Sequence, residues 1–369
     1  MLDEKELREL VKCQSDTPIL SVYLNVDPTT HTSEECLLAL RQMLKEVEGQ
    51  AAAEDIAAVQ SYFERSYDWS GRGVAVFSCA AADFWRTYSL AVPVASGVTI
   101  ARRPYISPLA ALLDTYGQYA VTLVDRQGAR LFLFQLGELI LQEEFSGQEV
   151  RKLKKGRGSS GGPGRRGGAP ISSRREEEVV LRNLRAAAKA VHRFHRRHKP
   201  QRLILAGAEP TTAQFRDLLP KALQEKIIGA VALDPEAVEP EIRERSLQVL
   251  QQVEEERERA VVEAVFTAAA KGREGVVGLD ETLSAAHEGR IRTLVIDRNF
   301  HATGYRCNQC AYLTVQTPAA CPFCGGIFVP IPDAAEAVVT KVIEEGGEIE
   351  VVDNHPRLQQ VGVGALLRY

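Results

Sequence analysis

The sequence has no run of about 18 or more apolar residues, the length a helix needs to cross a bilayer. No secretory leader is expected: the opening MLDEKELREL is acidic and polar, where a leader would have a basic start and an apolar middle. Both absences read against membranes and export. Three of the seven cysteines, Cys13, Cys36 and Cys79, stand singly among apolar neighbours, as buried free thiols do, which fits a reducing cytoplasm. Residues 1–110 show no catalytic spacing, and no glutamine lies between Gln148 and Gln201.

Positive charge, by contrast, is abundant in one place. Arg151 to Lys199 hold 16 Lys+Arg against 3 Asp+Glu, a local charge of +13; the whole chain carries −4, which leaves −17 on the remainder. Such asymmetry suggests a basic element aimed at a polyanion and carried on an acidic body. The first part, RKLKKGRGSSGGPGRRGGAP, has no apolar residue from Gly156 to Gly168, so it is expected to stay mobile until bound. Lys154, Lys155, Arg157, Arg165 and Arg166 are its candidate phosphate ligands.

The second part reads as a long basic helix. Ser173 followed by Glu176 has the spacing of a capping box, and Val180, Leu184, Ala187, Val191 and Phe194 recur at four-three-four-three spacing as one apolar stripe. Arg174, Arg175, Arg193, Arg196 and Arg197 extend the candidate nucleic-acid-binding set, and Pro200 stops the helix. His192, His195 and His198 are spaced by threes, which drifts by about 60° per step and spoils a shared ligand face. They read as part of the basic surface.

At 369 residues the chain has room for two or three domains. An α/β pattern with three parts is expected: residues 1–112, residues 113–250 with the basic Gly-rich loop at 151–172, and residues 251–369. In the first, PILSVYLNVD reads as a strand whose Ile19, Val22 and Leu24 keep imperfect phase, followed by helix from Ser33 to Tyr67. In the second, YAVTLVDRQ, ARLFLFQLG and ELILQEEF form a meander, and TTAQFRDLLPKALQEKI reads as a helix containing Pro220. The third repeats helix, glycine, strand, which suggests an α/β/α sandwich.

Inserted there, at about 304–328, is CNQCAYLTVQTPAACPFCGG. Cys307-x-x-Cys310 and Cys321-x-x-Cys324 have the spacing of two thiolate knuckles, a zinc ribbon. Four protein thiolates leave no open position for water, so the zinc is expected to be structural.

SVYLNVD, RRPYISPLAALLD, YAVTLVDRQGARLFLFQLGELI followed by the basic loop, LSAAHEGRIRTLVID and the terminal GVGALLRY occur in an order that resembles a known family. It is the bacterial branch of the archaeo-eukaryotic class-1 release factor and Pelota superfamily, a branch that includes the ribosome-hibernation factor Balon. The resemblance implies a ribonuclease-H-like central domain and a last domain similar to a ribosomal-protein fold. It also implies binding in the ribosomal A site, contact with ribosomal RNA and transfer RNA, and a translational GTPase partner of the elongation factor Tu type. Catalytic members carry Gly-Gly-Gln at the loop tip. Here the paired glycines read Gly161-Gly162-Pro163 and Gly167-Gly168-Ala169, which argues against hydrolysis and for a hibernation, stalling or rescue factor. A peptidyl-tRNA hydrolase using a variant loop stays open as the alternative.

Overall fold

The computed structural model describes residues 4–13, 15–149, 169–272, 274–316, 319–353 and 355–369. The chain divides into two compact units, residues 1–251 and 252–369.

The first unit opens with α1 (Glu4–Lys12), β1 (Ile19–Asn25), α2 (Ser33–Glu46), α3 (Ala53–Arg65), β2 (Gly73–Cys79), β3 (Phe84–Leu90), β4 (Gly97–Ala101) and α4 (Ser107–Tyr116). Its four strands form a sheet in the order β3-β2-β1-β4, antiparallel throughout, with Val22 opposite both Val76 and Val98. The imperfect phase of β1 has a physical cause: both faces of this strand are covered. Leu20, Val22 and Leu24 pack with Leu40, Leu44, Val59 and Phe63 of α2 and α3, while Ile19 and Tyr23 join a second core with Ala75 and Phe77. A strand buried on both sides has no polar face to alternate with. The single helix expected from Ser33 to Tyr67 is corrected to two. Gly49, at φ +86, turns the chain between them in a conformation that side chains avoid.

Next come β5 (Gln118–Val124), β6 (Gly128–Gln135), β7 (Glu138–Ser146), α5 (Ala169–His198), β8 (Arg202–Ala206), α6 (Glu209–Leu218), α7 (Lys221–Gln224), β9 (Ile227–Val231) and α8 (Glu239–Ala270), which runs on into the second unit. The sheet order is β7-β6-β5-β8-β9; β5, β6 and β7 are antiparallel, and β5, β8 and β9 are parallel. One face buries Ala120, Leu131, Leu133, Leu203 and Leu205 under Val180, Leu184, Ala187, Val191 and Phe194, the apolar stripe read from the sequence of α5. Each large side chain in that contact stabilises by about 1.5–3 kcal/mol. The other face places Tyr119, Phe132 and Phe134 in the same core as Tyr23, Phe77 and Leu90 of the first sheet and Ile242 and Leu250 of α8. One core therefore serves both sheets, and residue 112 lies within α4.

Two further local expectations are corrected. α5 begins at Ala169, so Ser173 lies inside the helix and does not cap it. Pro170 falls in the first turn, where a missing N–H costs no helical hydrogen bond. The helix expected through Pro220 ends at Leu218, and Pro220 caps the short α7. A proline there cannot donate the bond that would continue α6.

In the second unit follow β10 (Gly275–Val277), α9 (Leu279–His287), β11 (Ile291–Asp297), β12 (Gly304–Cys307), β13 (Leu313–Thr314), β14 (Phe328–Ile331), α10 (Ala334–Glu344), β15 (Glu348–Val352), α11 (Pro356–Val361) and β16 (Val363–Leu367). The main sheet has the order β10-β16-β11-β15, with β11 and β15 parallel and β16 antiparallel to both its neighbours. Leu294 and Ile296 of β11 face Leu283, Ala286, Val338 and Val342 of α9 and α10. Val295, on the opposite side, packs with Val262, Val265 and Leu358 of α8 and α11. Helices thus cover both faces. A small sheet, β13-β12-β14, is inserted after β11; Cys307 ends β12, and Cys310, Cys321 and Cys324 lie in the segments between its strands.

Candidate functional site

The inserted sheet folds around its cysteines. Cys307 ends β12; its amide donates to the Tyr312 carbonyl at 2.8 Å, and its carbonyl accepts from Ala311 N at 3.1 Å. Cys321 repeats that arrangement, with its amide on Gly326 O at 2.9 Å and its carbonyl accepting from Gly325 N at 2.8 Å. In each knuckle the residue after the second cysteine is left-handed, Ala311 at φ 57 and Gly325 at φ 72. Gly326 must stay bare, because a Cβ there would stand 2.8 Å from Cys307 Sγ. Asn308 ties the knuckles together: its amide donates to Ile327 O at 3.1 Å, and its Oδ1 accepts from Ile327 N at 3.2 Å.

The four Sγ atoms converge. Cys307 and Cys324 are 3.4 Å apart, Cys310 and Cys321 are 3.5 Å apart, and all four lie within 4.8 Å of one another. A tetrahedral ion with metal–sulfur bonds of about 2.3 Å sets its sulfurs about 3.8 Å apart, so the cluster fits a metal ion without rearrangement. The protonic state fits as well. Backbone N–H bonds from Cys310 and Gln309, helped by Cys324, draw the Cys307 thiol down to about 6. The Gly326 amide pulls on Cys324 too, but burial and the three neighbouring sulfurs outweigh it and push that thiol up to about 12. Four crowded sulfurs cannot all ionise by themselves; a cation at their centre removes the conflict. Beside them, Phe323 lies 4.8 Å from the Tyr312 ring and 4.3 Å from the His287 ring, joining the insert to α9. Burial lowers the pKa of His287.

Among the described residues this is the only cluster of three or more metal-ligating side chains, and the histidines of α5 form no part of it. His195 corrects the expectation of a basic histidine surface. It is 5% exposed, and burial, followed by Lys226 and His192, lowers its pKa to about 4. It is neutral at pH 7. His198 is half-buried, with its ring 4.8 Å from that of Phe194.

Of the candidate nucleic-acid ligands, Lys154, Lys155, Arg157, Arg165 and Arg166 lie outside the described residues, and Arg174 and Arg175 fall in the first turns of α5, where only the backbone is described. Arg193, Arg196 and Arg197 are exposed on α5. Arg197 pairs with Glu143 of β7 at 3.0 Å. Asn183, not singled out from the sequence, fixes the chain just before the basic segment. It is 3% exposed, donates from Nδ2 to Arg126 O at 3.2 Å and Gln148 O at 2.8 Å, and accepts from Gln148 N at 2.9 Å. Its signal was a polar residue beside Leu184 on the apolar side of the helix.

The chain is 24% identical over 290 residues to peptide chain release factor subunit 1 of Thermococcus onnurineus (strain NA1), covering 71% of this chain and 68% of that protein. The Pelota structure of Archaeoglobus fulgidus is 17% identical, covering 80% of this chain and 79% of its own, with a TM-score of 0.38. A model of ribosome-bound archaeal Pelota and ABCE1 is 13% identical, covering 99% and 94%, with a TM-score of 0.40. Residues 104–258, which hold the second sheet and the basic helix, match the model of bacterial archaeo-eukaryotic release factor family 10, and it is to this family and its release-factor relatives that the chain is similar.

Proposed function

We propose that the chain is a ribosome-binding translation factor that enters the A site, engages RNA phosphates through residues 151–199 and does not hydrolyse peptidyl-tRNA. One observation carries this reading. The segment that matches a release factor family includes the basic stretch, yet where catalytic relatives have Gly-Gly-Gln this chain has Gly161-Gly162-Pro163 and Gly167-Gly168-Ala169. Ester hydrolysis needs a water held in attack geometry, and such positioning is worth roughly 7–11 kcal/mol of barrier. Neither proline nor alanine has a side-chain polar group to hold it, and Pro163 also lacks a backbone N–H. Hibernation, stalling and rescue are the roles consistent with binding without chemistry.

In this reading Cys307, Cys310, Cys321 and Cys324 hold a structural zinc, which braces the insert and takes no part in catalysis. Residues 1–112, 113–250 and 251–369 act as decoding-region, central and GTPase-facing parts, with an elongation factor Tu-type GTPase as partner and the cytoplasm as the compartment. The test is co-sedimentation with bacterial ribosomes, with and without messenger RNA, joined to release of labelled peptide from stalled complexes at saturating factor. Binding with release no faster than buffer is expected. Release that disappears on mutating Arg165 and Arg166 would replace this reading with the hydrolase.

A further inference from the structure

The solvent face of α5 carries a line of cations that extends well beyond its last turn. Arg182, Arg185, Lys189, Arg193 and Arg196 are all exposed. Their spacing of three, four, four and three keeps them within an arc of about 80°, and they span about 21 Å of helix axis. The opposite side of the same helix is locked into the core through Leu184, Ala187, Val191 and Phe194, so the line is held straight on a rigid backing. Among the described residues none of the five has a hydrogen-bond or ion-pair partner, while Arg72, Arg197, Arg257, Arg298 and Arg357 each hold a carboxylate. Five unpaired cations on one rigid ridge, in a chain whose remainder is acidic, form a surface complementary to a regular row of anions.

We propose that this ridge is a rail for the phosphate backbone of double-stranded RNA, a proposal that rests on the reading of the chain as an RNA-facing factor and names the form of RNA it grips. The side chains present determine the form. A single-strand site interleaves cations with exposed aromatic platforms for stacking, and the ridge has none: Phe194 is buried, and among the described side chains of α5 no large apolar one is exposed. Base-edge readout of adenine uses Asn or Gln, and Asn183 is buried and committed to the Arg126 and Gln148 backbone. Arginines read guanine edges in an open major groove, which an A-form duplex closes to them, so on such a duplex phosphate contact remains. A-form duplexes are recognised by shape and backbone, since their major groove is too narrow to admit side chains, and a straight basic helix lying along that backbone is such a contact.

The test measures binding of the full chain to a fluorescent blunt-ended RNA duplex, and to one of its strands alone, across a salt series. Each phosphate contact contributes a slope of roughly −0.9 in log K against log salt for a duplex. Arg185→Ala, Lys189→Ala and Arg193→Ala combined are expected to make the slope shallower by about 2.7, with thermal stability unchanged because the residues are exposed. Arg185→Lys with Arg193→Lys should keep the wild-type slope, because point charges suffice for phosphates. An unchanged slope in the triple variant, or tighter binding of the single strand than of the duplex, overturns the proposal. Failure of the ribosome reading looks different: the wild-type chain then does not co-sediment with ribosomes, whatever the duplex slope shows.

Discussion

Removing one thiolate from the cysteine cluster is the sharpest perturbation available. In Cys321→Ser the hydroxyl cannot replace a thiolate as a metal ligand, and three sulfurs remain of a set that lies within 4.8 Å. Structural zinc sites bind with apparent free energies of about 10–16 kcal/mol, or about 2.5–4 kcal/mol for each of four ligands, so affinity should fall by roughly two to three orders of magnitude. The insert has little else to hold it. Its strands β12, β13 and β14 have 4, 2 and 4 residues, and among its described residues only Leu313 is deeply buried in the neighbouring helical core, with Val315 and Ile331 partly covered. Metal loss should therefore open residues 304–331 to proteolysis and loosen α9 and α10, while the first unit, with its own cores, stays folded. The assay is zinc content by elemental analysis of protein purified without chelator, with limited proteolysis of wild type and variant side by side. About one zinc per wild-type chain and far less in the variant is expected. Wild-type protein with almost no metal, or a variant that retains a full equivalent, refutes the reasoning.

Two further outcomes follow from buried polar groups in the first unit. Asn183→Leu strips the Gln148 amide and the Arg126 and Gln148 carbonyls of their partner, which should lower stability by about 1–3 kcal/mol in urea unfolding; a neutral result would mean that the backbone re-pairs or is wet. His195 is held neutral, with its pKa lowered from 6.5 to about 4, so the folded chain binds fewer protons than the unfolded chain between those values. Its contribution is complete above about pH 6.5 and is lost as pH falls toward 4, a change of about 3 kcal/mol. Replacement by Leu should flatten that part of the stability–pH curve, and an unaltered curve would assign the acid sensitivity to other groups.

The elements legible in the sequence were those whose cause is local. The four-three spacing from Val180 to Phe194 marks one helical face whatever the rest of the chain does, and two Cys-x-x-Cys pairs specify a cluster of four thiols that could hold a metal ion, because ligand geometry tolerates few spacings. The excess of cations from Arg151 to Lys199 is equally a property of the string. Turns that depend on one residue were harder to read: Gly49 broke a helix that periodicity would have continued, and α5 began before the Ser173 capping signal.

Tertiary structure alone decided what each face meets. Both phases of β1 are apolar because helices lie on one side and a core shared with the second sheet lies on the other, and no periodicity within seven residues reports a neighbour a hundred residues away. The same holds for charge. Arg197 is paired with Glu143 while Arg193 and Arg196 stand free on the ridge, and His195, in a run of basic residues, is uncharged because it points inward. Whether a cation is available to a ligand depends on desolvation and on carboxylates brought near from distant segments, and these quantities exist only once the chain has folded.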